Sequence, residues 1–225
     1  MSKEWKGNKK SVSTMLGMST TWHPENRAAG DYYTTDPTAV EEFINHIHNQ
    51  VGFINSCTID TIWEPACGCG NISKVLIKHG YRVYSSDLYD RGFGEDGIDF
   101  LQTTKVPDTC RTIITNPPYS LADEFVKHAM EILPDGGRYF ALMNISYLAG
   151  QKRFKEIFSN GYLYAIHVYT HRINCYKNNQ NTGHSSPVNY AWFEYCKNSV
   201  IKQKCENGII LFTCRIPPVI YWIEK

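Results

Sequence analysis

The sequence contains no apolar run approaching the roughly 18 residues that a membrane-crossing helix requires. Its polar, lysine-rich start, Met1 to Lys10, has no apolar core behind it of the kind that marks a secretory signal. A cytoplasmic protein with no membrane contact is the expectation. Eight cysteines are present, but none falls in a Cys-x-x-Cys pair, so the ligand spacing of a zinc knuckle is missing. In a chain that is not secreted, thiols stay reduced, and these are expected to be small buried hydrophobes, with no metal bound. Neither sign of charge dominates, with 23 Lys and Arg against 22 Asp and Glu. Hydrophobic residues reach 42% and charged residues 20%, which excludes a disordered chain. A length of 225 residues fits one domain, or one domain with an appendage.

The balanced total conceals an asymmetry along the chain. Residues 1–30 carry five basic and two acidic side chains, residues 31–137 seven and sixteen, and residues 138–225 eleven and four. An acidic middle between basic ends points to flanks that could hold a polyanion around a centre that does not. Ordinary solvated surface accounts for the same pattern equally well.

Residues 1–30 show no helical or strand periodicity and read as a basic polar arm. Helical spacing begins after Asp36-Pro37, with Val40, Phe43, Ile44 and Ile47 on one apolar face. Beyond it, short apolar runs alternate with amphipathic segments. Strands are predicted at Thr58 to Trp63, Tyr81 to Ser86, Thr112 to Thr115, Arg138 to Asn144, Leu163 to Tyr169 and Val188 to Tyr195, with a further short one before Asp99. Helices are predicted at Ile72 to His79, stopped by Gly80, and at Gln151 to Phe158. Another runs from a Ser120 cap to Leu133, with Asp123 completing a capping box. His171 to Asn189 is a long polar segment between two strands. This alternation means βαβ units and a mostly parallel sheet with helices on both faces, and ligands of such sheets bind at the carboxyl ends of the strands.

The residues that follow the strands are therefore the ones to weigh. Glu64 to Asn71, EPACGCGN, leads straight into a helix; Gly68 and Gly70 allow a tight turn and close approach to a ligand at free helix N–H groups. It is not a full G-x-G-x-x-G, which disfavours a dinucleotide pyrophosphate, and the acid at its start suits a ligand with a cationic group. Asp87 follows the next strand, where an acid accepts hydrogen bonds from ribose hydroxyls; a plain loop aspartate would look the same. Asp99 could accept from an adenine amino group while Phe100 stacks. The strongest signal is Asn116-Pro117-Pro118-Tyr119. Two prolines stiffen the edge and remove two donors, leaving carbonyls, an amide and an aromatic ring. That set suits a planar group bearing an NH₂.

Taken together, Glu64 to Gly70 and Asn116 to Tyr119 resemble a class I S-adenosylmethionine-dependent methyltransferase of the amino-methylating type. Upstream, Asp31 to Pro37, DYYTTDP, is similar to the motif that DNA adenine methyltransferases set against the methionine end of the cofactor. Arg172-Ile173 and Tyr190 to Phe193 resemble the small phage and prophage members. The resemblance covers roughly residues 30–196, and implies a Rossmann-like catalytic domain over 31–196, with 197–225 an extension packed on or near it. It further implies that S-adenosyl-L-methionine is the cofactor. Glu64, Gly68 and Gly70 would hold its methionine part, Asp87 its ribose, and Asp99 with Phe100 its adenine. Tyr33, Thr35 and Pro37 would close over the methionine. Asn116, Pro117, Pro118 and Tyr119 would act on an adenine of DNA flipped from the duplex. RNA bases or a protein glutamine amide are alternative acceptors, and a catalytically silent nucleic-acid-binding module is the alternative from another class. The basic residues Lys152, Arg153, Lys155, Arg172 and Lys177 are candidates for phosphate contacts, and His171 to Asn189 for the segment touching the target.

Overall fold

A computed structural model of the chain describes residues 32–49, 60–179, 188–197, 200–205, 208–213 and 218–224; the expected arm over 1–30 lies outside them. The main body is a seven-stranded sheet. In chain order its strands are β2 (Thr61–Glu64), β3 (Arg82–Ser85), β4 (Cys110–Thr115), β5 (Arg138–Asn144), β6 (Leu163–Tyr169), β8 (Tyr190–Cys196) and β11 (Val219–Ile223). Across the sheet they lie in the order β11-β6-β8-β5-β4-β2-β3. Every pairing is parallel except the two made by β8, which runs antiparallel between β5 and β6. This is the mostly parallel α/β architecture that the alternation predicts.

The sheet is covered on both faces, and the strand residues divide accordingly. Ile113, Tyr139 and Ala141 pack with helix α3 (Ala122–Ile132). Their neighbours Ile114, Phe140 and Leu142, joined by Trp192, pack with α1 (Pro37–Asn49) and α2 (Asn71–Lys78). Alternate strand residues point to opposite faces, so central strands buried on both sides read as unbroken apolar runs. On α1 the predicted stripe of Val40, Phe43, Ile44 and Ile47 is wholly buried. Phe43 stacks on Trp192 with ring centroids 4.4 Å apart and planes at 15°. Helix α2 ends as its glycine demands: Gly80 takes φ +86°, its N–H donates to the Ile77 carbonyl at 2.9 Å, and that of Tyr81 to Leu76 at 3.1 Å. This is a Schellman closure, in which a left-handed glycine lets the orphan carbonyls of the last turn be satisfied.

Four expectations need correction. No strand precedes Asp99; a single bridge, Ser86 to Glu95, stands in its place, and Asp99 caps a 3₁₀ turn over Phe100–Gln102 by accepting from Leu101 N–H. The predicted capping box at Ser120 does not form. A 3₁₀ turn over Tyr119–Leu121 precedes α3, whose cap position is Leu121. Asp123 instead accepts from the Tyr147 hydroxyl at 2.6 Å and from Arg153 Nε at 2.9 Å. Two partners, one of them charged, outbid a single backbone N–H for that carboxylate. Nor is His171 to Asn189 simply a loop. Within it, β7 (Cys175–Lys177) pairs antiparallel with β1 (Tyr33–Thr35), a strand in the upstream tyrosine motif that the sequence pattern does not announce; residues 180–187 lie outside the described residues. Finally, Arg153 is committed within the protein, donating also to the carbonyls of Tyr147 and Ala149. In the C-terminal part, β9 (Val200–Cys205) and β10 (Gly208–Thr213) form a separate two-stranded antiparallel sheet.

The Phe43–Trp192 stack joins α1 to the middle of the sheet, and both rings are fully buried. Phe43→Ala should lower the free energy of unfolding by about 3–5 kcal/mol, the usual cost of emptying a buried aromatic site. Urea denaturation should show this as a lower midpoint at unchanged slope.

Candidate active site

The chain passes from β2 outward to β3, then returns to place β4 on the other side of β2. Such a reversal opens a crevice at the carboxyl ends of the strands. Here it is a cavity of about 340 Å³, walled by residues following β2, β3 and β4 and by the β1 ribbon. Of the residues singled out from sequence, Tyr33, Thr35, Glu64, Gly68, Asp87, Asp99, Phe100, Asn116 and Pro118 line it. Pro37, Gly70, Pro117 and Tyr119 do not.

The glycine turn owes its shape to two left-handed residues, Gly68 at φ +54° and Gly70 at φ +81°. A Cβ on Gly70 would sit 2.3 Å from the Phe93 ring, and one on Gly68 would sit 2.9 Å from Tyr32. Both positions therefore exclude a side chain twice over, by backbone conformation and by contact. Asp87 holds the turn from the next strand, accepting Gly68 N–H at 2.8 Å through one oxygen and Tyr89 N–H at 2.9 Å through the other. Phe100 is buried, edge-on to Trp63 and tilted against Phe125.

The edge after β4 is fixed by its neighbours. Asn116 Nδ2 donates to the Tyr33 carbonyl at 3.0 Å and lies 3.3 Å from Thr35 Oγ1. A carbonyl can only accept, so this contact settles which way the amide faces. Its Oδ1 is left buried, with no hydrogen-bond partner among the described residues. Thr35 continues the connection: its carbonyl accepts from Asn71 Nδ2 at 2.8 Å, at the start of α2. Pro117 is buried and Pro118 half-buried. Tyr119 turns its ring between Tyr33, at 5.8 Å, and Tyr190, at 6.2 Å. Its hydroxyl is buried beside Tyr190 and Cys175, which drives its pKa well above the ordinary value. Pro37 is exposed at the first position of α1, where its fixed φ starts the helix.

Several cavity residues, Tyr89 and Arg91 among them, carry no signal in the sequence, while Tyr32 stands in the upstream DYYTTDP motif. Tyr32, Tyr89 and Arg91 line the mouth, with the Arg91 guanidinium over Tyr32 at 4.2 Å and over Tyr89 at 5.1 Å. Only the glycines around Arg91, at 92 and 94, hint at a turn there. Among the described residues no group of three or more metal-ligating side chains comes together, and Cys67, Cys69, Cys110, Cys175 and Cys196 are free thiols. No described helix is long and apolar enough to cross a membrane.

Glu64 is the most perturbed acid of the site. At 1% exposure it accepts from Ser73 N–H at 2.8 Å and from the Ser73 hydroxyl, yet burial pushes its pKa up to about 8. A carboxyl raised on folding contributes stability that is fully present below its unfolded value, 4.5, and is lost as pH climbs through the folded one. The loss should run at roughly 1 kcal/mol per pH unit across that window. Glu64→Gln should remove this slope, so that urea titrations at pH 6 and pH 8 differ less for the variant than for the wild type. Equal slopes would show that Glu64 is ionised throughout.

No protein-family model and no curated protein sequence matches the chain. Solved structures do resemble it. A Listeria monocytogenes protein assigned to the class I S-adenosylmethionine-dependent methyltransferases superposes with a TM-score of 0.55 at 13% identity, over 95% of this chain and 71% of its own. The methyltransferase subunit of a type I restriction-modification system from Streptococcus thermophilus gives 0.54 at 14%, over 88% and 53%. The type IIG restriction endonuclease BpuSI gives 0.54 at 14%, over 84% and 28%. The chain thus spans about half and about a quarter of the length of the last two. What these likenesses establish, with the strand order and the cavity at its reversal, is a Rossmann-like α/β fold of the methyltransferase kind.

Proposed function

We propose that the protein is an S-adenosyl-L-methionine-dependent methyltransferase that modifies the exocyclic amino group of adenine in DNA. The observation that carries this reading is the Asn116 amide, held by Tyr33 and Thr35 with its Oδ1 buried and unmatched at the cavity wall. A buried acceptor without a donor is costly, and a ligand N–H supplies the donor.

The donor set of the cavity fits the cofactor. Asp87 has lone pairs to spare beyond its two backbone bonds, enough for ribose hydroxyls, and Asp99 stands where an adenine amino group could donate. Glu64 and the Gly68-to-Gly70 turn, with Tyr33 and Thr35 opposite, would take the methionine end. When bound, the cofactor supplies a methyl group on a positively charged sulfur.

The chain's own part is to prepare the acceptor nitrogen. The lone pair of an exocyclic amine is delocalised into its ring, which makes it a poor nucleophile. If Asn116 Oδ1 and the Pro117 carbonyl accept its two protons, the nitrogen becomes pyramidal and its lone pair is directed into the cavity. Positive charge then develops on nitrogen against two fixed acceptors, so orientation and preorganised electrostatics provide the acceleration. No side chain needs to form a covalent bond. Tyr119 and Tyr33 line up aromatic surface beside this edge for the base to stack on. A base inside a duplex cannot reach such a pocket, so it must be flipped out or presented on a single strand. Support for DNA comes from two of the similar structures, a restriction endonuclease and a restriction-modification methyltransferase subunit, and from the excess of basic residues beyond position 138.

The test is transfer of labelled methyl from S-adenosyl-L-methionine to unmethylated DNA, with total RNA and cell protein as parallel acceptors. The expected product is N6-methyladenine in DNA. Asn116→Ala should lower turnover by at least about a hundredfold, the cost of losing one preorganised partner of a developing charge, while cofactor affinity stays within about threefold. Label in RNA or protein alone would move the substrate, and cofactor binding without transfer would leave a silent binding module.

A further inference from the structure

One cation of the cavity takes no part in preparing the acceptor nitrogen. Arg91 is the one Lys or Arg among the described residues that line the cavity, beside the carboxyl groups of Glu64, Asp87 and Asp99. Its guanidinium lies 4.2 Å over the Tyr32 ring and 5.1 Å over that of Tyr89. Contacts of this kind use the positive charge and the face of the ring, and spend none of the N–H donors at the guanidinium's edge. Among the described residues no carboxylate takes those donors either. Asp87 is turned to the N–H groups of Gly68 and Tyr89, Asp90 accepts from Gly92 N–H at 2.9 Å, and Glu95 accepts from the Tyr84 hydroxyl at 2.8 Å.

The chain fixes where this cation stands. The loop that carries it is packed onto the glycine turn: Cys67 Sγ donates to the Phe93 carbonyl at 3.3 Å, and the Phe93 ring fills the space that a Cβ on Gly70 would need. Tyr32 fills the corresponding space at Gly68. Arg91, laid over Tyr32, is thus held at the end of the cavity where the glycine turn meets the β1 ribbon, the end that the proposed function gives to the methionine part of the cofactor. That part carries a carboxylate as well as an amine. A carboxylate brought among other carboxyl groups is disfavoured, and a charge taken out of water without a partner is costly. A guanidinium supplies the partner, because its planar fork of N–H groups matches the two oxygens. We propose that Arg91 binds the α-carboxylate of S-adenosyl-L-methionine, with Tyr32 and Tyr89 holding its guanidinium in place from their ring faces. The inference rests on the methyltransferase reading and adds to it the residue that selects a ligand with an intact amino acid.

The experiment measures, by calorimetry and without turnover, the affinities for S-adenosyl-L-homocysteine and for S-adenosyl-3-thiopropylamine, which keeps the amine and lacks the carboxylate. Their ratio isolates the carboxylate, since general damage to the cavity weakens both ligands alike. Arg91→Ala should lower that ratio at least about tenfold, the worth of one charge-assisted pair. The loss should fall on S-adenosyl-L-homocysteine, with affinity for the decarboxylated ligand kept within about threefold. Arg91→Lys, which keeps the charge without the fork, should give a ratio between those of the alanine variant and the wild type. An Arg91→Ala protein with the wild-type ratio, whether it binds both ligands normally or loses both equally, overturns the carboxylate assignment and leaves the methyltransferase reading standing. Wild-type protein that binds neither ligand overturns the reading on which the assignment depends, and the assignment with it.

Discussion

The site depends on one hydrogen bond, from Asn116 Nδ2 to the carbonyl of Tyr33. It crosses 83 positions of sequence and settles two matters at once. The amide cannot rotate, because a carbonyl offers nothing to an oxygen, so Oδ1 stays on the side where a donor is wanted. The bond also ties the edge after β4 to the β1 ribbon, and Thr35 carries the tie onward to Asn71 at the head of α2. The glycine turn and the proline edge are thus braced against the same three-residue strand. That strand is too short to persist alone. It is held by pairing with β7 and by Asp36, which accepts from the Tyr176 hydroxyl at 2.8 Å. An edge held this way is already organised, the condition that the proposed methyl transfer sets for electrostatic catalysis.

How legible was this beforehand? Periodicity and punctuation carried the main sheet well. Arg138 to Asn144 and Leu163 to Tyr169 are strands with those bounds, because buried central strands are continuous apolar runs and polar turns delimit them. Gly80 stops α2 for a reason visible in sequence, since few other residues take its left-handed conformation. What failed to show was everything decided by distant partners. Tyr33 to Thr35 is polar and short, and its pairing with β7, 140 to 144 positions away, makes it a strand. Asp123 has the spacing of a capping residue, but Tyr147 and Arg153 claim it, and neither could be placed beside it from local pattern.

The cavity residues divide along the same line. Those found from sequence sit where the chain's own geometry puts them, at or just past the end of a strand: Glu64, Asp87 and Asn116. Those missed, Tyr89 and Arg91, reach the cavity by side-chain packing, with the guanidinium laid across the rings of Tyr89 and of Tyr32 in the upstream motif. Cation–π contacts leave no spacing signature. Pro37 and Tyr119 show the converse. Each belongs to a motif that points at the cavity, yet Pro37 starts a helix on the surface and Tyr119 turns its hydroxyl inward against Cys175 and Tyr190. A motif fixes where the backbone passes, and the neighbours decide where the side chain goes.

Charge is arranged to match. The cavity is lined by Glu64, Asp87 and Asp99, with Arg91 among its lining residues, a set of carboxyl groups suited to hydroxyl and amino donors and poorly suited to phosphates. The basic excess lies elsewhere in the chain, beyond position 138. In the proposed function, keeping acidic cavity and basic flank on separate elements would let a polyanion meet the flank without entering the cavity. On the proposed reading, the two halves of the uneven charge pattern serve one reaction, the acidic half for the methyl donor and the basic half for the nucleic acid that receives it.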